Sequence, residues 1–151
     1  MKIFIVQNTQ EHFRNNSSKA LLEKLTKLYG WGPLHYSSNG KPLCEKGYLS
    51  VSHSVDFLVI VNNNHPIGID LEKIRPLKDE LIKKFDLDPN NPILSWCQKE
   101  ALIKLYDDKH YLFKNITTEY WQTIDIDEKY CCVVVSNQAL PDYELIEMKI
   151  N

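Results

Sequence analysis

The sequence predicts an α+β fold, in which antiparallel β-sheet is covered by a small number of helices. Two long helical patterns separate short β-branched and aromatic runs, and 151 residues suffice for one compact unit with a hydrophobic core. A repeated pattern within the chain is consistent with this fold class, because the hairpin-like runs 48–62 and 120–135 each follow a helix. Two similar halves, approximately 1–66 and 67–151, would leave such a trace, although two helix-plus-hairpin units also arise by chance.

The first half predicts a strand, a helix and a hairpin. Residues 2–7 are β-branched and aromatic, which indicates a strand. The helix expected through residue 29 has an apolar face, and Gly30 can adopt the left-handed conformation that ends it. A loop rich in Gly, Pro, Ser and Asn follows at 30–47. Hairpin strands are then expected over 48–52 and 57–62, with the turn at 53–56.

The second half begins with a strand expected over 67–72, after which Pro76 breaks the chain. A short helix is expected from about 77 to 85. Pro92 suits the first turn of a longer helix, because its missing N–H costs nothing there, and this helix should run to about residue 106. The remaining strands are expected over 119–126, 130–135 and 143–150.

Composition and charge exclude several functional classes. Net charge is -2, from 18 Lys and Arg against 20 Asp and Glu, which gives no reason to expect nucleic-acid binding. Apolar runs are too short to cross a bilayer, and residues 1–7 are too short for a signal peptide. The cysteines form no Cys-x-x-Cys pair, so zinc is not indicated: Cys44, Cys97, Cys131 and Cys132. We therefore expect a reduced, cytoplasmic setting without membrane attachment.

Two carboxylates are candidates for a metal site. Because side chains alternate along a strand, Asp70 and Glu72 should point to the same face. Carboxylate oxygens are hard ligands that suit Mg²⁺, and Gly68 beside them should leave room for a ligand to approach. The alternative is a half-buried strand with a solvated acidic face.

The second long helix carries a third carboxylate and a cation. Glu100 and Lys104 are four residues apart and share a face. Beside a metal-bound pyrophosphate, Glu100 would complete the metal site or accept a proton, and Lys104 would neutralise charge on a leaving phosphate. The alternative is a surface ion pair that stabilises the helix by a few tenths of a kcal/mol.

A histidine between hydroxyls marks the first hairpin turn. Ser52 and His53 in Ser50-Val51-Ser52-His53-Ser54 would bind a phosphate through an imidazolium, hydroxyl groups and backbone N–H groups. The alternative is that these turn residues bond to their own backbone. A Ser-His nucleophile pair is not favoured, because sequence neighbours seldom aim at each other.

Four motifs in order resemble those of the 4′-phosphopantetheinyl transferase superfamily. They are Gly40-Lys41-Pro42, Leu49-Ser50-Val51-Ser52-His53-Ser54, Ile67-Gly68-Ile69-Asp70-Leu71-Glu72 and Trp96-Cys97-Gln98-Lys99-Glu100-Ala101-Leu102-Ile103-Lys104. The resemblance is to the two-half type, often called the Sfp type, and it covers roughly residues 40–105. It implies two helix-plus-antiparallel-sheet halves packed by pseudo-twofold symmetry.

The resemblance implies a role for each motif residue. Asp70, Glu72 and Glu100 match Mg²⁺ ligands, and the glutamate equivalent to Glu100 is also proposed as the base that deprotonates the acceptor serine. Lys104 matches the lysine beside the pyrophosphate of coenzyme A. Ser52 and His53 match residues that contact the phosphates of coenzyme A, and Lys41 matches a lysine near its nucleotide end. Basic residues for its 3′-phosphate have no clear counterpart, and the candidates are Arg14, Lys19, Lys24 and Lys27.

The implied reaction transfers phosphopantetheine from coenzyme A to a serine of an apo acyl or peptidyl carrier protein and releases 3′,5′-adenosine bisphosphate. Its pathways are fatty-acid, polyketide or nonribosomal peptide biosynthesis. Since Asp70 lies near the middle of the chain, the site should form between two halves of one chain, which favours a monomer.

Two other functions stay open. The chain is shorter than most members of this type, so one alternative is a homologue that binds coenzyme A or a carrier protein without turnover. The other is an unrelated magnesium phosphohydrolase that uses the same carboxylates with water as the nucleophile.

Overall fold

The computed structural model describes residues 1–7 and 17–149. In that part of the chain the helices are α1 (Ser17–Tyr29), α2 (Asp79–Lys84) and α3 (Pro92–Tyr106), with a 3-10 helix at Lys109–Phe113. The strands are β1 (Lys2–Gln7), β2 (His35–Tyr36), β3 (Pro42–Leu43), β4 (Tyr48–Ser54), β5 (Phe57–Asn63), β6 (Ile67–Lys73), β7 (Tyr120–Thr123), β8 (Tyr130–Ser136) and β9 (Glu144–Met148). None of the described helices is long and apolar enough to cross a membrane.

The strands form two sheets, so the predicted α+β class is confirmed. The first sheet has the order β2-β3-β4-β5-β1-β9, and the second has the order β6-β8-β7. Neighbours are antiparallel except β1 and β9, which run parallel. Because β9 joins the first sheet, the C-terminal part of the chain contributes to both sheets. The pseudo-twofold relation between two halves stays a prediction.

Four layers follow from the alternation of side chains on the central strands. Ile3 and Ile5 of β1 pack against Ile69 and Leu71 of β6 in the core between the sheets. On the opposite face of the first sheet, apolar residues of β1 pack against the leucines of α1. On the outer face of the second sheet, α3 packs against β8. The order of layers is therefore α1, first sheet, second sheet, α3.

Most predicted elements are present, with several differences. The short strands β2 and β3 lie within the stretch 30–47 that was predicted to be a loop. The strand expected over 48–52 extends to Ser54, so His53 lies on β4 and not in the turn. The register pairs Ser54 with Phe57, which leaves Val55-Asp56 as the two-residue turn. Val55 has a φ of 37°, a conformation that a β-branched residue seldom adopts, so its sequence gives no turn signal. Strand β7 is shorter than expected, and the 3-10 helix was not predicted.

Candidate active site

Strand β6 has one apolar and one charged face, as its alternation predicts. Ile69 and Leu71 lie in the core between the sheets, whereas Asp70 and Glu72 face α3. The Asp70 side chain is only 5% exposed. A solvated acidic face is therefore excluded for Asp70, and its charge must be compensated by groups from other elements.

The expectation that Gly68 leaves room for a ligand is wrong. A Cβ atom on Gly68 would lie 2.0 Å from the carbonyl oxygen of Ala101 and 2.7 Å from the backbone nitrogen of Leu105. The space is filled by the backbone of α3. Gly68 instead allows the helix to lie directly on β6, which brings the side chains of α3 to the charged face of the strand.

The cation that compensates Asp70 comes from α3. Lys104 Nζ donates to Asp70 Oδ1 at 2.8 Å, so Lys104 bonds across the helix–strand boundary. Ser52 Oγ donates to the same oxygen at 3.1 Å. Asp70 Oδ2 is buried and has no hydrogen-bond partner among the described residues. An unsatisfied buried carboxylate oxygen is costly, which indicates a position for a ligand or ion.

Two further carboxylates surround Asp70. Burial raises the pKa of Glu100, and the charges of Asp70 and Glu72 raise it further, while Lys104 lowers it. Burial also raises the pKa of Glu72, again with a contribution from Asp70, while Arg75 at 3.0 Å lowers it. The three predicted metal ligands are therefore close enough to repel one another.

These residues fit a hard divalent cation. All three donors are carboxylates, Asp70 Oδ2 has no partner among the described residues, and a dication would relieve the repulsion that raises the other two pKa values. In their present orientations, no three His, Cys, Asp or Glu residues of the described chain form a metal-holding group. Glu72 Oε2 accepts a hydrogen bond from Arg75 Nη1 at 3.0 Å.

The serines of β4 have a role that the sequence interpretation missed. The hydroxyl oxygens of Ser50, Ser52 and Ser54 accept hydrogen bonds from the backbone N–H groups of alternate β6 residues: Ile69 at 3.0 Å, Leu71 at 3.0 Å and Lys73 at 3.1 Å. These hydroxyl groups bond to β6 and not to their own turn. The ladder joins the two sheets and aims Ser52 at Asp70. Serines at every second position of a strand share a face, and this was the available signal.

The structure does not place His53 beside Asp70, Glu72, Glu100 and Lys104. His53 is exposed and lies on the face of β4 opposite Ser52. Its contact with coenzyme A phosphates stays a prediction, as does that of Ser52, whose hydroxyl is engaged by Asp70 and the Leu71 N–H.

Lys41 lies at the C-terminal end of α3, beside the backbone of Lys104. Its Nζ donates to the carbonyl oxygens of Ile67 at 3.3 Å, Leu105 at 3.4 Å and Lys104. Burial lowers its pKa to about 8. The implied contact between Lys41 and the nucleotide end of coenzyme A stays a prediction.

The candidates for the 3′-phosphate lie elsewhere or outside the description. Lys19, Lys24 and Lys27 are exposed on α1, which covers the face of the first sheet that points away from α3. Arg14 lies outside the described residues.

A cleft of about 240 Å³ lies beside Lys104, the lysine that pairs with Asp70. Its walls are residues 39–42, Ser50 and Val51 of β4, and the C-terminal end of α3 with the residues that follow, Ile103, Lys104 and 107–109. Lys104 lines the cleft and also bonds to Asp70, so this lysine connects the cleft with the buried carboxylate.

Two known proteins are similar to this chain. The 4′-phosphopantetheinyl transferase psf-1 of Bacillus pumilus is 32% identical across a match that covers 44% of this chain and 36% of that protein. A 4′-phosphopantetheinyl transferase of Bacillus subtilis is 29% identical across 82% of this chain and 72% of that protein. No family model matches the chain. This chain thus spans about a third of the Bacillus pumilus protein. Both similar proteins carry the name of the enzyme family that the four sequence motifs resemble.

Proposed function

We propose that this protein transfers the 4′-phosphopantetheine group of coenzyme A to a serine of an apo carrier protein. The observation that carries the proposal is the Asp70 group. A buried carboxylate is paired with Lys104, keeps one oxygen without a described partner and lies beside two carboxylates with raised pKa values. Perturbed titratable groups next to a cleft are typical of catalytic sites.

Asp70, Glu72 and Glu100 would hold Mg²⁺, because they are hard oxygen donors on facing elements. When bound, the ion would supply positive charge for the pyrophosphate of coenzyme A. Manganese has the same preference for oxygen ligands, and a metal titration distinguishes the two ions.

The side chains of the chain supply the remaining chemistry. Glu100 has a raised pKa and would accept the proton of the attacking serine hydroxyl. A bond forms between the serine oxygen and the β-phosphorus, and the bond from that phosphorus to the bridging oxygen breaks. 3′,5′-Adenosine bisphosphate leaves with the bond electrons, and Lys104 would stabilise the charge that develops on it.

The cleft between loop 39–42 and the end of α3 would receive the phosphate portion of coenzyme A, with Lys104 at its inner end. Ser52 would hold Asp70 in place. We further propose that the protein is of the two-half type, that it works as a cytoplasmic monomer, and that its acceptor is an acyl or peptidyl carrier.

The test is intact-mass spectrometry of apo carrier proteins incubated with this protein, coenzyme A and Mg²⁺. Fatty-acid, polyketide and peptide carriers are tested separately. We expect one carrier to gain the mass of one phosphopantetheine group, and we expect EDTA or Glu100→Ala to abolish the gain. Glu80→Ala, on the exposed side of α2, is the matched control and should transfer normally.

Two outcomes contradict the proposal. Binding of coenzyme A without transfer to any carrier indicates the non-catalytic homologue. Release of phosphopantetheine in the absence of any carrier indicates a phosphohydrolase that uses water as its nucleophile.

A further inference from the structure

The loop before β3 is held in one conformation by its own hydrogen bonds. The N–H of Ser37 donates to the carbonyl of Lys41 at 2.9 Å, and the N–H of Gly40 donates to the carbonyl of Ser37 at 2.9 Å. The Ser37 hydroxyl also accepts from the N–H of Lys41 at 3.0 Å. Gly40 has a φ of 87°, which this tight turn requires. Lys41 therefore starts from a fixed backbone position.

The Lys41 side chain bridges two elements that are distant in sequence. A lysine ammonium has three N–H donors, and here three carbonyl oxygens receive them, from Ile67 at the start of β6 and from Lys104 and Leu105 in the last turn of α3. The last carbonyl groups of a helix have no partner within the helix, and a lysine is well suited to bind them. All three donors of Lys41 are thus engaged by backbone.

A second contact holds the same helix end. Asn39 Nδ2 donates to the carbonyl oxygen of Asp107 at 2.9 Å. Asp107 has a φ of 54° and ends α3 in the left-handed conformation. The loop before β3 therefore contacts the end of α3 at two points, through Lys41 and through Asn39.

These contacts act on Lys104, the residue that pairs with Asp70. The backbone carbonyl of Lys104 binds Lys41, while the side chain of Lys104 bonds to Asp70. Since Gly68 already lets α3 touch β6, a small rotation of the last turn would move Lys104 Nζ away from Asp70. We propose that Lys41 is a positioning residue that fixes the last turn of α3 against β6 and so aligns Lys104 with Asp70. A contact between Lys41 and the nucleotide, which the sequence resemblance implies, would instead change the affinity for coenzyme A.

The kinetic test rests on the proposed function and compares Lys41→Met with Lys41→Arg. Loss of alignment should lower kcat of Lys41→Met by about ten- to a hundredfold, since small misplacements of catalytic groups cost that much. The KM for coenzyme A should stay within about twofold, because no binding contact is lost. Lys41→Arg retains donors and should recover much of kcat. Lys46→Met is the matched control, because Lys46 is an exposed lysine between β3 and β4.

The opposite pattern would overturn the inference. If Lys41 binds the nucleotide, Lys41→Met raises the KM and the calorimetric dissociation constant for coenzyme A by about tenfold with little change in kcat. If that contact is with the 3′-phosphate, dephospho-coenzyme A, which lacks this group, would bind Lys41→Met and the unaltered protein equally well.

An activity-independent measurement separates this inference from the proposed function. Hydrogen exchange without substrate should be faster over residues 103–108 in Lys41→Met than in the unaltered protein or Lys46→Met, with α1 unchanged as the internal reference. If the unaltered protein transfers nothing, the proposed function fails and exchange still decides the role of Lys41. Where Lys41→Met does not fold, Asn39→Ala removes the exposed second contact and should accelerate exchange in the same segment. Unchanged exchange in the folded variant contradicts the positioning role.

Discussion

The two faces of β6 come from seven consecutive residues but are stabilised in different ways. Ile67, Ile69 and Leu71 are at most 1% exposed and pack between the sheets, where burial of apolar area is sufficient. Asp70, on the other face, is nearly as buried, yet it depends on Lys104 from α3 and Ser52 from β4. Buried ion pairs seldom stabilise more than apolar residues of the same size. The charged face therefore contributes little to the stability of the fold, which supports the proposal that it takes part in the reaction.

The largest expected effect on stability comes from the apolar face. Ile69→Ala leaves a cavity between the sheets and should lower the free energy of unfolding by about 3 kcal/mol, measured by urea denaturation. Transfer per folded molecule should change little. Ile74→Ala is the matched control, because Ile74 is 51% exposed, and its effect should stay below about 0.5 kcal/mol. If Ile69→Ala remains fully folded but loses transfer activity, the apolar face also contributes to transfer, and the proposed division of roles between the two faces is wrong.

Replacing the lysine of the ion pair on the charged face should affect transfer more than stability. Lys104→Met leaves Asp70 buried without its cation, and we expect a loss of about 2 kcal/mol in the free energy of unfolding, because Lys104 is partly exposed. Transfer should fall by about a thousandfold, since the charge beside the leaving phosphate is gone. Lys83→Met on the exposed face of α2 controls for loss of a lysine. Normal transfer by Lys104→Met would remove Lys104 from the site.

The serine ladder tests how the charged face is held. Ser52→Ala removes the hydroxyl that donates to Asp70 and accepts from the Leu71 N–H, and should cost about 1–2 kcal/mol. Ser54→Ala removes only the acceptor for the Lys73 N–H and should cost about 0.5–1 kcal/mol. Chemical denaturation of the two variants sharpens the comparison. Equal losses would mean that the contact between Ser52 and Asp70 contributes nothing.

The smallest expected effect is the pH dependence due to Lys41. Burial lowers its pKa from 10.5 to about 8, so the unfolded chain binds more protons than the folded one between these values. The cost of the buried charge is present below pH 8 and is lost as the pH rises to 10.5. The free energy of unfolding should therefore rise relative to Lys41→Met by about 1 kcal/mol across this window, after allowing for solvent screening. A flat difference between their urea denaturation curves contradicts the shift.

Local patterns in the sequence were sufficient for the elements and for part of the site. Alternation placed Asp70 and Glu72 on one face of a strand, and Pro92 is at the start of α3 as expected. The motif order also agrees with the similarity to the two transferases.

Long-range contacts could not be predicted in the same way. The partner of Gly68 is the backbone of α3, and the partners of Lys41 are more than twenty residues away in sequence, so no local signal identifies them. The prediction that His53 lies in the hairpin turn was wrong, because Val55-Asp56 lacks the glycine or asparagine that marks most two-residue turns.

The most direct test of the account is a comparison of Asp70→Asn with the unaltered protein in Mg²⁺-dependent transfer to an apo carrier. Asparagine keeps the shape of the side chain but removes the charge at the centre of the buried group. We expect a loss of about a thousandfold or more in transfer, while Asp79→Asn on the exposed α2 transfers normally. Transfer by Asp70→Asn at the unaltered rate would show that the charged face of β6 is not the active site.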